Sequence, residues 1–405
     1  MKIALRVVSM VLACLIPASA SAVPDPNAAV VLLRQHCGDP ALENCFESMS
    51  ALADWIWEMR QPSASARLLV DIGPGVFGPF TCGDGETQNL GYVTLRGSGR
   101  EQTILKGTNP LLEDGIVVLG CNDLSFIDLG AHGRYGATWF GGGTSSWSNV
   151  DLVGMGSYAA AGWYDAGCSG SSRGVHYFHG SRIRAVPSGN VLVYVSAFTS
   201  LCSESWIFGG ELFVDAFHHT GTIGPQVVRI DGGFVETFGT AIRGKVSGSG
   251  TGGGADELVG VLIRNTSSSG LPVAFHSHGV NIGLSTNTAS ETNLNVVAIT
   301  ASNDVVVHSL GTAYALTPGS GATATRIRVT GGAPKPKVEA PYHWSAAANP
   351  PEVTSRNGQD IFVETDCTST GCTGGTEPHL MIYAPTACTS GSPWWDVSRN
   401  ACRVP

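Results

Sequence analysis

Four carboxylates and three arginines of this chain lie on or beside segments with the alternating pattern of half-buried strands. They are Asp151, Asp215, Asp231 and Glu236, with Arg182, Arg184 and Arg229. When such strands stack, their outward side chains form columns with a spacing of about 4.8 Å. Two carboxylates in a column can act as acid and base on a glycosidic bond, or hold Ca²⁺ against an anionic sugar. An arginine can stabilise the negative charge that develops during either reaction.

An ordinary structural role is the alternative for the same seven residues. Charges on the solvent face of a sheet commonly pair across neighbouring strands, and exposed pairs contribute little to stability. The two interpretations differ in one observable. Catalysis requires the carboxylates to converge in one cleft, whereas pairing does not.

A second group of candidates is aromatic and lies among glycine-rich segments between residues 139 and 164. Exposed rings in such segments can pack against the apolar faces of sugars, and ligand sites are usually apolar clefts with a few polar groups. We expect Trp147 and Trp163 to be exposed and, with Tyr164, to bind carbohydrate. The alternative is that these rings form a ladder in the core, as we expect for Phe140.

Two histidines, His276 and His278, are separated by one residue, so on a strand they face the same way. A metal site needs at least a third ligand with fixed partners, and the sequence identifies none for this pair. We interpret both as surface residues, and the metal ligands stay unassigned.

Glycine gives the strongest indication of the fold. The chain has 53 glycines in 405 residues, and short motifs with an apolar residue before the glycines occur at residues 139–143, 177–181, 207–211 and 230–234. Glycine adopts the left-handed backbone angles of a tight bend, and alternating residues after each motif indicate a new strand. A variable period of about 20 to 35 residues predicts stacked coils. We expect an all-β fold, a single-stranded right-handed parallel β-helix.

A resemblance to a known family covers residues 45–107. A helical segment leads to Pro-Gly-Val-Phe at residues 74–77, then to Val-Thr-Leu-Arg-Gly-Ser-Gly at 93–99 and Thr-Ile-Leu at 103–105. This series resembles the opening of pectinesterase-type, pectin-lyase-like right-handed β-helices. The resemblance implies the fold, because the matching residues are those of strand stacking and turns.

The catalytic motifs of these enzymes are not matched. The pectinesterase segments Gln-Asp-Thr-Leu, Asp-Phe-Ile-Phe-Gly and Leu-Gly-Arg-Pro-Trp are absent, and Glu-Thr-Phe-Gly-Thr at 236–240 lacks the required Asp. The Trp-Ile-Asp-His segment of pectate lyases is absent too. A shared fold does not imply a shared reaction, so no catalytic residue is transferred from these families.

The N-terminus has the features of an export signal. Lys2 and Arg6 precede and flank an apolar run at residues 7–16, and Ala-Ser-Ala follows at 20–22. We therefore predict a signal peptide over residues 1–22 and a secreted protein, periplasmic or extracellular. No later stretch has the apolar length of a membrane span.

Ten of the 11 cysteines lie after this segment, and an even number fits disulfide bonding in an oxidising compartment. The expected pairs are Cys37 with Cys45, Cys82 with Cys121, Cys168 with Cys202, Cys367 with Cys372 and Cys388 with Cys402. A zinc site is the alternative, but the chain has no Cys-x-x-Cys and no histidine at zinc-finger spacing.

The net charge of −9 is accompanied by no cluster of lysine or arginine. Nucleic acids and anionic membranes bind basic patches, so neither is an expected partner. An extracellular polysaccharide is the expected partner, and Ca²⁺ is the cofactor that the acidic columns would hold.

The expected organisation has five parts. Residues 1–22 form the signal peptide, 23–62 an N-terminal helical cap, 63–330 the β-helix, 331–357 a linker and 358–405 a cysteine-rich C-terminal cap or module. Asp39 and Pro40 suit the first turn of the cap helix, which would cover the first strand edge.

The leading functional hypothesis is that this secreted β-helix protein binds an extracellular polysaccharide containing uronic acid. If it also cleaves the polymer, it would be a polysaccharide lyase, glycoside hydrolase or carbohydrate esterase. The alternative is a non-catalytic surface, adhesive or structural solenoid.

Overall fold

The computed structural model describes most of the chain between residues 25 and 403. The described residues are 25, 27–38, 43–83, 91–166, 173–187, 190–191, 194–216, 218–219, 224–246, 257–266, 273–286, 295–302, 304–319, 322–330, 337–339, 346–347, 361–367, 369, 372, 377–383, 388 and 394–403. The predicted signal peptide lies outside these residues, as do Cys168 and the predicted cap residues Asp39 and Pro40.

Strands dominate the described chain, with one α-helix, α1 Met49–Asp54, that continues as a π-helix, Trp55–Arg60. The strands are β1 Val30–Leu33, β2 Cys45–Phe46, β3 Leu68–Ile72, β4 Gly75–Phe77, β5 Phe80–Cys82, β6 Val93–Arg96, β7 Thr103–Lys106, β8 Ile116–Leu119, β9 Leu124–Ile127, β10 Gly130–Gly133, β11 Tyr135–Phe140, β12 Gly143–Ser148, β13 Asp151–Gly154, β14 Ala159–Asp165, β15 Gly174–His179, β16 Arg182–Ala185, β17 Asn190–Val191, β18 Tyr194–Ser200, β19 Glu204–Phe208, β20 Glu211–Ala216, β21 His218–His219, β22 Gln226–Ile230, β23 Phe234–Phe238, β24 Ala241–Val246, β25 Glu257–Arg264, β26 Val273–His278, β27 Asn281–Thr286, β28 Asn295–Ser302, β29 Val305–Leu310, β30 Ala313–Thr317, β31 Ala324–Thr330, β32 Lys337–Glu339, β33 Ala346–Ala347, β34 Ile361–Cys367, β35 Glu377–Tyr383, β36 Trp394–Asp396 and β37 Ala401–Cys402.

Three parallel sheets form the body of the protein. Sheet 1 has the order β2-β1-β3-β6-β9-β12-β15-β19-β23-β26-β29-β32, sheet 2 the order β30-β27-β24-β20-β16-β13-β10-β7-β4, and sheet 3 the order β31-β28-β25-β22-β18-β14-β11-β8-β5. The chain visits the sheets in turn, so that β12, β13 and β14 make one coil and pair with β15, β16 and β18 of the next. This is a parallel β-helix, and the predicted fold is confirmed.

In most strands of these three sheets, one side is buried in the interior, where side chains from successive coils stack. The clearest column of sheet 1 contains Phe126, Trp147 and Phe178, all buried, and the rings of Phe126 and Trp147 are parallel with centroids 4.0 Å apart. Aromatic burial of this kind is among the largest favourable contributions that a core residue makes. Stacking in register therefore holds each coil on the one before it.

In the seven coils whose sheet 1 strands run from β9 to β29, the residue directly after that strand, at the bend to sheet 2, has left-handed backbone angles. The seven residues are Asp128, Asn149, Gly180, Gly209, Gly239, Gly279 and Gly311, with φ between 52° and 64°. The backbone N–H of Gly180, for example, donates to the Phe208 carbonyl of the next coil at 2.9 Å. Glycine, asparagine and aspartate adopt this conformation most readily, which explains the residue types in the column.

The glycine motifs predicted from sequence are of two kinds. Gly180 and Gly209 belong to the bend between sheets 1 and 2, whereas Gly143 and Gly233 lie at the entry to the sheet 1 strands β12 and β23. The coil length also varies more than predicted, since 39 residues separate the starts of β23 and β26.

The N-terminal cap is less helical than predicted. Cys45 and Phe46 lie within the predicted helical cap, but they form β2, which pairs with β1 and extends sheet 1. Helix α1 begins only at Met49, where the Ser48 hydroxyl accepts a hydrogen bond from the Ala51 N–H at 3.2 Å. The Trp55 ring then lies 5.4 Å from Phe46, so the helix packs on this added strand.

Four of the five predicted disulfides are present. They are Cys37–Cys45, Cys82–Cys121, Cys367–Cys372 and Cys388–Cys402. Cys202 is also disulfide-bonded, while its predicted partner lies outside the described residues. These bonds fit the predicted oxidising compartment.

The predicted linker at 331–357 contains strands. It includes β32, which continues sheet 1 by pairing with β29. A fourth sheet, β33-β34-β35-β36-β37, is antiparallel from β34 onwards. In the described part of the chain, no helix is both long and apolar enough to cross a bilayer.

Candidate functional site

The four predicted catalytic carboxylates lie on three different sheets. Asp151 begins β13 and Asp215 lies on β20, both in sheet 2, but two strands and four residues apart. Asp231 follows β22 of sheet 3, and Glu236 lies on β23 of sheet 1. The structure therefore does not gather these carboxylates around one cation or one scissile bond.

Asp151 is a buried ion-pair centre on sheet 2. Its side chain is 3% exposed and accepts hydrogen bonds from Arg182 at 3.0 Å and from Arg184 at 2.9 Å. Arg182 also binds Glu101 at 2.7 Å. The structure thus brings three of the predicted catalytic residues together as an ion-pair cluster, in which the two arginines bind both oxygens of Asp151.

Asp231, directly after β22 of sheet 3, is likewise a buried carboxylate bound by two arginines. Arg229 donates to its Oδ2 at 2.8 Å, and Arg264 donates to both oxygens. Burial alone raises the pKa of the Asp231 carboxyl, but the hydrogen bonds from Arg264 and Arg229 outweigh it and hold that pKa below its ordinary value. A carboxylate held ionised by two arginines is a structural element and a poor proton donor.

The predicted exposure of Trp147 and Trp163 is wrong. Both side chains are 0% exposed, because each lies on the inward side of its strand and packs against Phe178. Tyr164 lies on the outer side of sheet 3 and stacks on Tyr135 at 4.7 Å. Phe140, expected in the core, is 42% exposed. Two of the three predicted sugar-binding rings therefore cannot contact a polymer at the surface.

A different set of rings covers the outer side of sheet 1. These partly exposed side chains, which we call the aromatic face, come from five consecutive strands, β15, β19, β23, β26 and β29. They are Tyr177, His179, Trp206, Phe208, Phe234, Phe238, His276, His278 and His308. Of these rings, only His276 and His278 were singled out from the sequence, and both lie on the outer side of β26 as predicted.

The rings of the aromatic face stack along the axis of the β-helix. In one column the rings of His179, Phe208, Phe238 and His278 follow one another with centroids 4.9, 5.1 and 4.7 Å apart and planes within 8° of parallel. Their flat faces cover one another, so it is their edges that point to solvent. Ring edges carry partial positive charge and favour oxygen atoms.

A second column beside it contains polar groups. Tyr177 stacks on Trp206 at 5.1 Å, and His276 stacks on His308 at 4.7 Å. Glu236 lies in register between Trp206 and His276. The phenol, indole and imidazole groups offer hydrogen-bond donors and acceptors at one surface.

Glu236 is the predicted catalytic residue that this face contains. One carboxylate oxygen lies 2.9 Å from Nε2 of His278, and the two side chains are 19% and 32% exposed. The charged partners of Asp151 and Asp231 are arginines, whereas the partner of Glu236 in this contact is a histidine, His278. A carboxylate and an imidazole in contact with each other and with solvent can exchange protons with a ligand.

Comparisons with protein-family models, with curated proteins and with solved structures find no match to this chain. The likeness of residues 45–107 to pectinesterase-type β-helices therefore rests on the sequence pattern and on the confirmed fold.

Proposed function

We propose that this protein binds an extended extracellular polysaccharide along the aromatic face. The observation that carries the proposal is the continuity of that face, because partly exposed rings repeat on five neighbouring strands of sheet 1. A linear polymer that lies along the axis meets partly exposed rings on each of these five coils. Ring edges and the polar groups of Tyr177, Trp206 and Glu236 then contact its hydroxyl groups.

The predicted secretion and the resemblance to pectin-lyase-like β-helices support the same proposal. The predicted export signal and the disulfides fit a protein that acts outside the cytoplasm. The pectinesterase-like opening of the chain belongs to a fold that commonly carries polysaccharide sites along one sheet. These points concern compartment and fold, and the choice of ligand rests on the aromatic face.

Binding should depend on Trp206, which lies at the centre of the face. We expect Trp206→Ala to weaken binding to a recognised polysaccharide by at least tenfold, about 1.4 kcal/mol, because tryptophans contribute most to such surfaces. Affinity electrophoresis against a panel of neutral and uronate polymers measures this change.

Tyr158 provides the matched control, since its ring is 63% exposed and lies beside sheet 3. Tyr158→Ala should bind as the wild type does. Equal losses in both variants, or no binding to any polymer of the panel, would contradict the proposal.

Cleavage is a second candidate function, favoured by the contact between Glu236 and His278. Wild-type protein should then release reducing ends or unsaturated uronate from a polymer that it binds. Glu236→Gln should lower that rate by 10²- to 10⁴-fold, the usual contribution of a positioned acid or base. Glu211→Gln on sheet 2 is the control and should leave the rate unchanged. Binding without change to the polymer, with or without Ca²⁺, would support the non-catalytic alternative.

A further inference from the structure

The fourth sheet contains a buried cluster of sulfur and nitrogen atoms that the proposed function does not use. Cys367, Cys372 and His379 place two Sγ atoms and one ring nitrogen within 4.8 Å of one another, and all three residues are buried. Cys367 and Cys372 are disulfide-bonded to each other; once reduced, their thiolates and the His379 imidazole are ligand types that zinc prefers.

The topology of the sheet explains why these side chains meet. Cys367 ends β34 opposite Glu377 of β35, and His379 lies two residues further along β35 on the same side. Asp396 of β36 reaches this side from the neighbouring strand. Met381 and Trp394 complete the cluster and exclude water from it.

A buried carboxylate orients the histidine. The Nδ1 atom of His379 lies 2.7 Å from Oδ2 of Asp396, which is 0% exposed. Metal-binding histidines commonly donate one ring N–H to a carboxylate, which fixes the ring and raises the basicity of the other nitrogen. The contact between His379 and Asp396 has this form.

We propose that the reduced pair Cys367 and Cys372, together with His379, binds a soft divalent metal ion such as Zn²⁺. In the structure the two cysteines form a disulfide that closes a loop with a sequence separation of only 5. The cluster thus has two states, a disulfide under oxidising conditions and a metal site under reducing ones. The disulfide interpretation from sequence describes the first state.

A phosphine can reduce the disulfide to the two thiols. The phosphine attacks one sulfur, the S–S bond breaks, and hydrolysis gives a phosphine oxide and two thiols. Each thiol then loses one proton as its sulfur bonds to the metal, so binding of one M²⁺ releases two protons. His379 binds through a neutral ring nitrogen.

The test uses the full chain, reduced with a phosphine and titrated with Co²⁺ as a spectroscopic probe for the zinc site. We expect one equivalent of Co²⁺ to give the absorption of tetrahedral thiolate coordination, and Zn²⁺ to displace it. The oxidised protein should give no such absorption.

Variants separate this site from the other cysteines. Cys367→Ser/Cys372→Ser should abolish the absorption, while Cys388→Ser/Cys402→Ser, which removes the other disulfide of this sheet, should keep it. His379→Ala should weaken Co²⁺ binding by at least tenfold, whereas thiols of an unfolded chain would bind without regard to His379. No thiolate absorption in the reduced wild type, or full absorption in the Cys367→Ser/Cys372→Ser or His379→Ala variant, would overturn the proposal.

Discussion

Acidification from pH 7 to pH 5 should lower the free energy of unfolding by about 2 kcal/mol through His176 alone. This side chain is fully buried, and burial lowers its pKa from 6.5 to about 3. Between these two values the unfolded chain binds a proton that the folded chain does not bind. Stability is therefore complete above pH 6.5 and is lost as the pH falls towards 3, at about 1.4 kcal/mol per pH unit.

The surroundings of His176 explain why it stays neutral. Its ring lies edge-on to Trp139 at 4.7 Å and to Trp163 at 4.8 Å, and its Nδ1 is 2.8 Å from the Ser145 hydroxyl. The Trp147 indole donates to the same hydroxyl at 2.6 Å, so Ser145 can donate in turn to His176. The Nε2 atom has no hydrogen-bond partner among the described residues. A second proton on this ring would be a buried charge without a counter-ion.

The variant His176→Phe should lose this part of the pH dependence. Urea unfolding at pH 7 and pH 5, followed by tryptophan fluorescence, measures the difference, since Trp139 and Trp163 contact the ring. Aspartates and glutamates ordinarily titrate below pH 5, so most of them contribute little to a difference measured between pH 7 and pH 5. His179→Phe on the same strand is the control, because His179 lies outside the core. Equal pH dependence in wild type and His176→Phe would refute the explanation.

The fold was predictable because its determinants are local. A left-handed bend needs glycine, asparagine or aspartate, and strands alternate inward and outward residues, so Gly180 and Gly209 with the residues around them indicate the coil. The disulfides were predictable for the same reason, since short separations in sequence leave few other pairings.

The aromatic face was not predicted because its strands are apolar on both sides. In β19 the sequence Trp206, Ile207, Phe208 gives no alternation in polarity, although only Ile207 is buried. The position of the bend after each strand would have told the two sides apart. The last strand residue before the bend faces out and the residue before it faces in. Phe208 is therefore outside and Trp147 inside.

Contacts between coils could not be predicted from the sequence either. One oxygen of Asp165 accepts hydrogen bonds from the backbone N–H groups of Leu201, Cys202 and Ser203, 36 to 38 residues away. Likewise, the pairing of Asp231 with Arg264 depends on the length of the coil between them, which no local pattern encodes. Of the four candidate carboxylates, Asp151 and Asp231 therefore each form ion pairs with two arginines, which the sequence could not reveal.

Replacement of Asp231 by asparagine should destabilise the protein by about 3 to 5 kcal/mol. The change removes the charge that balances Arg229 and Arg264 and leaves two partly buried guanidinium groups beside a neutral amide. A guanidinium group is not deprotonated at neutral pH, so Arg229 and Arg264 both keep their charge when the carboxylate is gone. Urea unfolding at pH 7 measures the loss against the wild type.

Two further variants test whether the loss comes from unbalanced charge. Asp215→Asn on sheet 2 is the matched control, since Asp215 is only partly buried and faces Lys245 in register, and it should change stability by less than about 1 kcal/mol. The triple change of Asp231 to Leu with Arg229 and Arg264 to Met should recover most of the loss, because removing a whole buried ion cluster is often neutral. If the triple variant is as unstable as Asp231→Asn, the cause is lost packing or backbone geometry at this corner. If Asp231→Asn is as stable as the wild type, the carboxylate does not hold the two arginines in solution.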